Sequence, residues 1–231
     1  MRVVFVHGAC VRDGAWWWHR TAALLADRGV ASVAAALPSC GESGAAAGTD
    51  GPGLAEDVAA VRAALADGDE PTVAVGHSYG GIVLAEAAAG LAGVRHLLLV
   101  SSYLPEIGQC LGDFGGDTPA PFLELDQDSG TFGVRPELLD ETFLQDCEAD
   151  VRAQAAARLA RQSVRVIRQP VSAAAWRSVT TTALVCTEDR GTPVARQREF
   201  ARPAGRIVEL DAGHHPFLSR PDAIRDLVLT L

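Results

Sequence analysis

One serine in the chain is placed for nucleophilic chemistry. Val75-Gly76-His77-Ser78-Tyr79-Gly80-Gly81 fits Gly-x-Ser-x-Gly, directly after an apolar, strand-like run and directly before an Ala- and Leu-bearing, helix-like one. A sharp strand-to-helix turn accepts little but glycine at its flanks and lifts the Ser78 hydroxyl above a sheet, where a substrate reaches it. The bland alternative, a glycine-rich turn with an inert serine, leaves the strand and helix around it without a purpose. Because a serine hydroxyl is a poor nucleophile at neutral pH, the reading demands a histidine to take its proton and a carboxylate to orient that histidine.

Six histidines are present. His7 and His77 belong to the two glycine-bearing turns, and His19 and His96 lie on helix or strand approaches. His214 and His215 follow the last apolar run in Leu210-Asp211-Ala212-Gly213, where the chain order serine, acid, histidine puts the base. His214 is the expected base and His215 the fallback, since neighbouring side chains point apart and only one faces Ser78. For the acid, Cys186-Thr187-Glu188-Asp189-Arg190 ends the preceding apolar run with two adjacent carboxylates. Asp189 is preferred: its short side chain and the turn at Gly191 to Pro193 suit a rigid bond to imidazole, whereas Glu188 pairs with Arg190 or solvent. A plain turn-forming aspartate is the alternative.

Charge developing on an attacked carbonyl needs backbone donors. The first strand-like run ends in His7-Gly8-Ala9-Cys10, so the Ala9 N–H, with that of Tyr79 beside the nucleophile, is the candidate oxyanion hole. His7 reads as a structural hydrogen-bonding residue rather than a base. Candidate pocket residues are Gly8, Trp16, Trp18, His77, Phe132, Phe143 and His215. Three consecutive tryptophans, Trp16 to Trp18, open the first helix-like segment, and at about 100° per residue they cannot all face one site, so core packing claims at least two of them. Phe114, Phe122 and Trp176 pose the same choice between packing and substrate contact.

These groups need a scaffold, and short apolar runs alternating with Ala-rich helical stretches predict one, a mostly parallel six-stranded sheet flanked by helices. The predicted strands are Val3–Val6, Ala31–Ala35, Thr72–Val75, Leu97–Val100, Ala183–Cys186 and Arg206–Leu210. The predicted helices are Trp17–Arg28, Leu54–Ala66, Gly81–Ala89, Arg196–Ala201 and Pro221–Leu229. The alternation breaks between Leu104 and Trp176, where the Gly/Pro-rich stretch Gly112–Pro121 leads into helical segments Pro136–Asp146 and Glu148–Arg161. The expected organisation is a core of residues 1–103 and 177–231 with a helical cap, or lid, at 104–176.

Composition narrows the partners. Of 231 residues, 48% are hydrophobic and 21% charged, enough to bury a large core; the net charge is -9 and all 20 cationic residues are arginine. Scattered arginines among 29 acids supply no basic stripe for a nucleic acid. No apolar stretch of about 20 residues predicts a membrane span, and the N-terminus shows no leader pattern, so a cytoplasmic protein is expected. Five isolated cysteines, Cys10, Cys40, Cys110, Cys147 and Cys186, lack metal-ligand spacing and suit reduced thiols rather than a disulfide framework, with Cys186 a small buried hydrophobe.

Together these motifs resemble the α/β-hydrolase superfamily over nearly the whole chain, more narrowly the small-esterase and hydroxynitrile-lyase group that includes plant methyl-ester hydrolases such as the salicylate methylesterases. The likeness rests on His7 to Cys10 with Trp16 and Trp18 beyond, Gly76 to Gly81, Phe143 to Cys147, Cys186 to Asp189, and Gly213 to Ser219. It implies a Ser78, Asp189, His214 triad, an oxyanion hole from Ala9 and Tyr79, no cofactor and no metal. The lyase branch carries a hydroxyl-bearing residue and a lysine where this chain has Gly8 and His215, which lowers the lyase reading beneath the esterase one. Nucleophile chemistry separates the chain from epoxide hydrolases and haloalkane dehalogenases, which attack with an aspartate.

The expected function is cleavage of a small carboxylic ester, lactone or related acyl compound. A tailoring hydrolase, thioesterase or carbon–carbon hydrolase of secondary metabolism uses the same triad, and a non-catalytic small-ligand receptor uses the same fold. The expected partner is a small acyl substrate rather than a nucleic acid or membrane; oligomeric state stays open, a homodimer included.

Overall fold

The computed structural model describes residues 1–116 and 118–231, so residue 117 of the Gly/Pro-rich stretch lies outside the described part. From the N-terminus the chain forms β1 (Arg2–Val6), α1 (Gly14–Ala26), β2 (Ala31–Ala35), α2 (Leu54–Ala66), β3 (Thr72–His77), α3 (Gly80–Ala87) and β4 (Val94–Val100). It continues through β5 (Leu123–Asp126), β6 (Thr131–Val134), α4 (Pro136–Phe143), α5 (Ala149–Ala156), β7 (Gln162–Ser163) and α6 (Arg165–Arg168). It ends with β8 (Thr180–Cys186), α7 (Val194–Ala201), β9 (Arg206–Leu210), α8 (Pro216–Ser219) and α9 (Pro221–Leu229).

All six predicted strands meet in one sheet of order β2-β1-β3-β4-β8-β9, with every pairing parallel. Parallel strands need crossovers, and the crossing helices cover both faces, which is why central strands read as unbroken apolar runs. Strand alternation divides the core. Val4, Val6, Ala74, Leu97 and Leu99 pack with Leu54, Val61, Ile82 and Leu84 of α2 and α3, whereas Val3, Phe5, Val75, Leu98 and Val100 pack with Trp18, Leu25, Ile224 and Val228 of α1 and α9.

The segment between β4 and β8 is only partly helical. Besides α4 and α5 it holds a second, antiparallel sheet of order β5-β6-β7, which the sequence reading lacked. The β5–β6 hairpin pairs Asp126 with Thr131 across a turn containing Gly130 at φ 66, and strands of four and two residues lie at or beneath the shortest length at which alternation is readable. Both helices of the segment end earlier than predicted, because the chain beyond each is used for tethering. After α4, Gln145 and Asp146 bind the loops that follow β8 and β9. After α5, the chain runs extended beside residues 10 to 12: Ala160 N–H donates to Cys10 O at 2.8 Å and Arg12 N–H to Arg158 O at 3.0 Å.

Candidate active site

The Ser78 turn follows from its neighbours. β3 is buried along its length, Ser78 adopts φ 48, and α3 starts two residues later. For an L-residue that left-handed conformation costs roughly 1–2 kcal/mol. Gly80 makes the turn possible: a Cβ there would lie 2.5 Å from the Val6 carbonyl oxygen, so any side chain would push the start of α3 away from the end of β1. The Ser102 hydroxyl donates to Ser78 O at 2.5 Å and fixes the turn from the end of β4.

Asp189 and His214 meet at the same ends of the strands. His214 Nδ1 lies 2.7 Å from Asp189 Oδ2. Four further donors converge on that carboxylate: Gly191 N–H at 2.7 Å and Thr192 N–H at 2.9 Å on Oδ1, and the Ser101 hydroxyl at 2.6 Å and Gln197 Nε2 at 3.0 Å on Oδ2. Burial works against the charge on Asp189, but the neighbouring His214 and these donors outweigh it and hold the carboxyl below its ordinary range. Because Nδ1 is committed to Asp189, His214 presents Nε2 on its other side. Glu188, the other candidate acid, instead offers its backbone carbonyl to Gln145 Nε2 at 2.8 Å.

A cavity of about 810 Å³ opens over this point, lined by Ser78, Tyr79, His214, Gly8, Ala9 and Tyr103 among others. His77, Phe132, Phe143 and His215 line it too. Among the described residues, neither the Ala9 nor the Tyr79 backbone N–H donates to a protein carbonyl outside regular helices and strands. Both residues line the cavity together with Ser78.

The neighbouring histidines are neutral. His77 Nε2 lies 3.0 Å from the His214 carbonyl oxygen and His215 Nδ1 lies 3.1 Å from the Phe143 carbonyl oxygen, so each of those nitrogens donates a proton. Burial, reinforced by the adjacent His214, pushes His77 well below the usual histidine range and His215 down to about 3. His7 serves the scaffold: its Nε2 lies 2.8 Å from Glu42 Oε2, and Glu42 also accepts Leu37 N–H and Asp13 N–H at 2.7 Å. Burial opposes the Glu42 charge, yet His7 and these N–H groups keep its carboxyl below the ordinary value.

A serine at a strained strand-to-helix turn, an aspartate–histidine pair on later loops and two free amides form one constellation on a parallel sheet. A family model described as the alpha/beta hydrolase family matches residues 3–227. The chain belongs to that family. Among curated relatives, the alpha/beta hydrolase nvfD of Aspergillus novofumigatus is 28% identical over 209 residues, covering 84% of this chain and 82% of the relative. Methylesterase 1 of Arabidopsis thaliana is 25% identical over 252 residues, covering 99% and 94%. In fold, this hydrolase matches the crystal structure of a pyrethroid hydrolase from Sphingobium faniae JZ-2 with TM-score 0.86 at 20% identity, covering 100% of this chain and 96% of the other.

Two expected pocket residues of the hydrolase stand elsewhere. Trp18 stacks on Phe5 with ring centroids 4.5 Å apart and packs against Phe217 at 4.0 Å, inside the core. Trp16 lies on the outer side, its Nε1 donating to Gln154 Oε1 at 3.2 Å and the Arg158 guanidinium above its ring at 4.3 Å. Trp17 lines the cavity instead and sits 5.0 Å from His215. The helix rotation that forbids three rings on one site selects the middle one, because Asp13 caps α1 and starts it at Gly14, earlier than predicted.

Other supporting residues of the hydrolase were not singled out from the sequence. Ser101, at φ 42, and Gln197 complete the Asp189 cradle. Asp57, fully buried on α2, accepts the Tyr79 hydroxyl at 2.7 Å, the Ser39 hydroxyl at 2.5 Å and Ser39 N–H at 2.8 Å. Asp146 Oδ2 accepts Gly213 N–H at 2.7 Å and the Ser219 hydroxyl at 2.6 Å, gripping the His214 loop from outside. Ser101 carried one usable signal, a hydroxyl at the carboxyl end of an apolar strand where α/β sheets place their ligands. The others carried none at short range.

Four of the five cysteines are buried, and burial raises each of those thiols. Among the described residues no helix is long and apolar enough to cross a membrane.

Proposed function

We propose that this protein is a serine hydrolase that cleaves a small carboxylic ester, lactone or related acyl compound through an acyl-serine intermediate. Ser78 Oγ attacks the carbonyl carbon as its proton passes to His214 Nε2. The resulting oxyanion accepts hydrogen bonds from Ala9 N–H and Tyr79 N–H. Collapse breaks the carbon–oxygen bond to the leaving alcohol, which takes the proton back from His214. Water then attacks the acyl-serine with His214 as base again, releasing the acid and restoring Ser78. Asp189 holds the imidazole tautomer and stabilises its charged form.

The observation that carries this reading is the 2.7 Å contact between His214 Nδ1 and Asp189 Oδ2 on the rim of the cavity that also holds Ser78. The similarity to a methylesterase and to the fold of a pyrethroid hydrolase supports ester chemistry. Residues 104–176 form the proposed cap, contributing Phe132 and Phe143 to the wall that selects the substrate. The test is hydrolysis of a p-nitrophenyl ester series of short to medium chain length by wild type, Ser78→Ala and His214→Ala, with a serine-directed phosphonate located by mass spectrometry. Loss of turnover in both variants with the label on Ser78 is expected. Near-normal rates in Ser78→Ala on every ester would overturn the mechanism.

A further inference from the structure

His215 plays no part in the acyl transfer, yet its ring lines the cavity and is only 6% exposed. Its Nδ1 is spent on the Phe143 carbonyl oxygen at 3.1 Å, so Nε2 carries a lone pair and no proton. Among the described residues the side-chain polar atoms sealed from solvent without a partner are Trp18 Nε1 and Gln145 Oε1. Among the described residues His215 Nε2 is not one of them and has no protein hydrogen-bond partner, so it keeps solvent contact on a residue that lines the cavity. Its ring centroid lies 5.0 Å from that of His214 and 5.0 Å from that of Trp17, while Phe143 stands at 6.2 Å. This is an acceptor in an aromatic wall, within one ring's width of the catalytic base.

Water pairs with this acceptor in the free protein, but a substrate that expels that water leaves it unpaired, at a cost, unless the substrate brings a donor. An anionic group is repelled by the lone pair, and an ammonium would have to shed its water without a counter-charge. A neutral hydroxyl fits both conditions. We propose that His215 Nε2 accepts a hydrogen bond from a hydroxyl on the substrate, a few atoms from the scissile carbonyl, so that the site prefers hydroxy-substituted esters over their deoxy counterparts. The inference rests on the serine-hydrolase reading.

The test compares kcat/KM for p-nitrophenyl hexanoate with its α- and β-hydroxy derivatives, and for benzyl hexanoate with its ortho-hydroxybenzyl ester. Wild type should favour one hydroxylated member at least about tenfold, since a site built to bond a hydroxyl discriminates strongly against the analogue lacking it. His215→Phe should collapse that ratio towards one, and His215→Gln, which keeps an acceptor, should restore part of it. Ratios within twofold across the wild-type set, or an unchanged preference in His215→Phe, would overturn the proposal. Where ester turnover is too slow to compare, inactivation rates with hydroxylated and unsubstituted phosphonates carry the same comparison. Ser78 labelling separates the two ideas: a labelled serine without hydroxyl preference sinks this inference alone, whereas no labelling and no turnover sinks the underlying mechanism with it.

Discussion

Gln162 Oε1 accepts the backbone N–H of Cys10 at 3.0 Å, across 152 positions of sequence. Cys10 follows Ala9, the proposed oxyanion donor, and adopts φ 60. The same glutamine donates through Nε2 to the Ser39 hydroxyl at 2.9 Å, which donates to Asp57 at 2.5 Å, as does the Tyr79 hydroxyl at 2.7 Å. One buried chain of hydrogen bonds thus joins the two loops that carry the two proposed oxyanion donors, and its Gln162 sits on β7.

Gln162→Leu keeps the volume and removes both bonds. It should lower kcat by roughly tenfold or more with little change in KM, because misplaced oxyanion donors cost transition-state rather than ground-state binding. Affinity for a boronic acid transition-state analogue should fall in parallel. An unchanged kcat would show that Ala9 is held well enough by the Ala160 N–H to Cys10 O bond alone.

Asp189→Asn should leave the fold intact and reduce kcat by about 10³–10⁴, since an amide at that position favours the wrong His214 tautomer. Steady-state kinetics on an activated ester read this directly. The four other donors around the carboxylate complicate the swap, as an amide nitrogen facing Gly191 N–H and Thr192 N–H, or Ser101 and Gln197, meets donors where acceptors are needed. A melting temperature lower than wild type is therefore expected too.

Gly8→Ala tests the packing beneath the oxyanion loop. A Cβ there would lie 2.8 Å from His77 Nδ1 and 3.3 Å from Ser78 Cβ. His77 cannot retreat freely, because its Nε2 is tied to the His214 carbonyl, so the added methyl displaces the loop or the base. At least a tenfold loss of kcat/KM is expected, as small misplacements of reacting groups are costly. Activity equal to wild type would mean that the loop absorbs the methyl without moving Ala9.

Two buried neutral histidines make stability fall with acid. The folded values of His77 and His215 lie below the ordinary 6.5, His215 at about 3, so between those limits the unfolded chain binds more protons than the folded one. Their contribution is present above about pH 6.5 and declines as the pH drops, by roughly 2 kcal/mol for His215 between pH 7 and 5. Urea denaturation at pH 7, 6 and 5 measures the slope. His215→Phe should flatten it; an identical slope in that variant would show that His215 is not buried neutral.

Much of this enzyme is legible along the chain because its signals are local. Apolar runs of strand length, glycines around Ser78, and histidine and aspartate just past the last two strands of the sheet are all readable within a few residues, and parallel topology then requires their loops to share one rim. Tertiary structure alone decided the rest. The choice of Trp17 over Trp16 and Trp18 depends on where Asp13 starts α1 and which wall that helix meets. The small sheet between β4 and β8 is built from strands of two to four residues, of which β5 alone alternates apolar and polar positions. Cys10 with Gln162 and Ser101 with Asp189 are hydrogen-bonded pairs separated by 152 and 88 positions; nothing in the neighbourhood of either residue announces a partner that only folding brings within 3 Å.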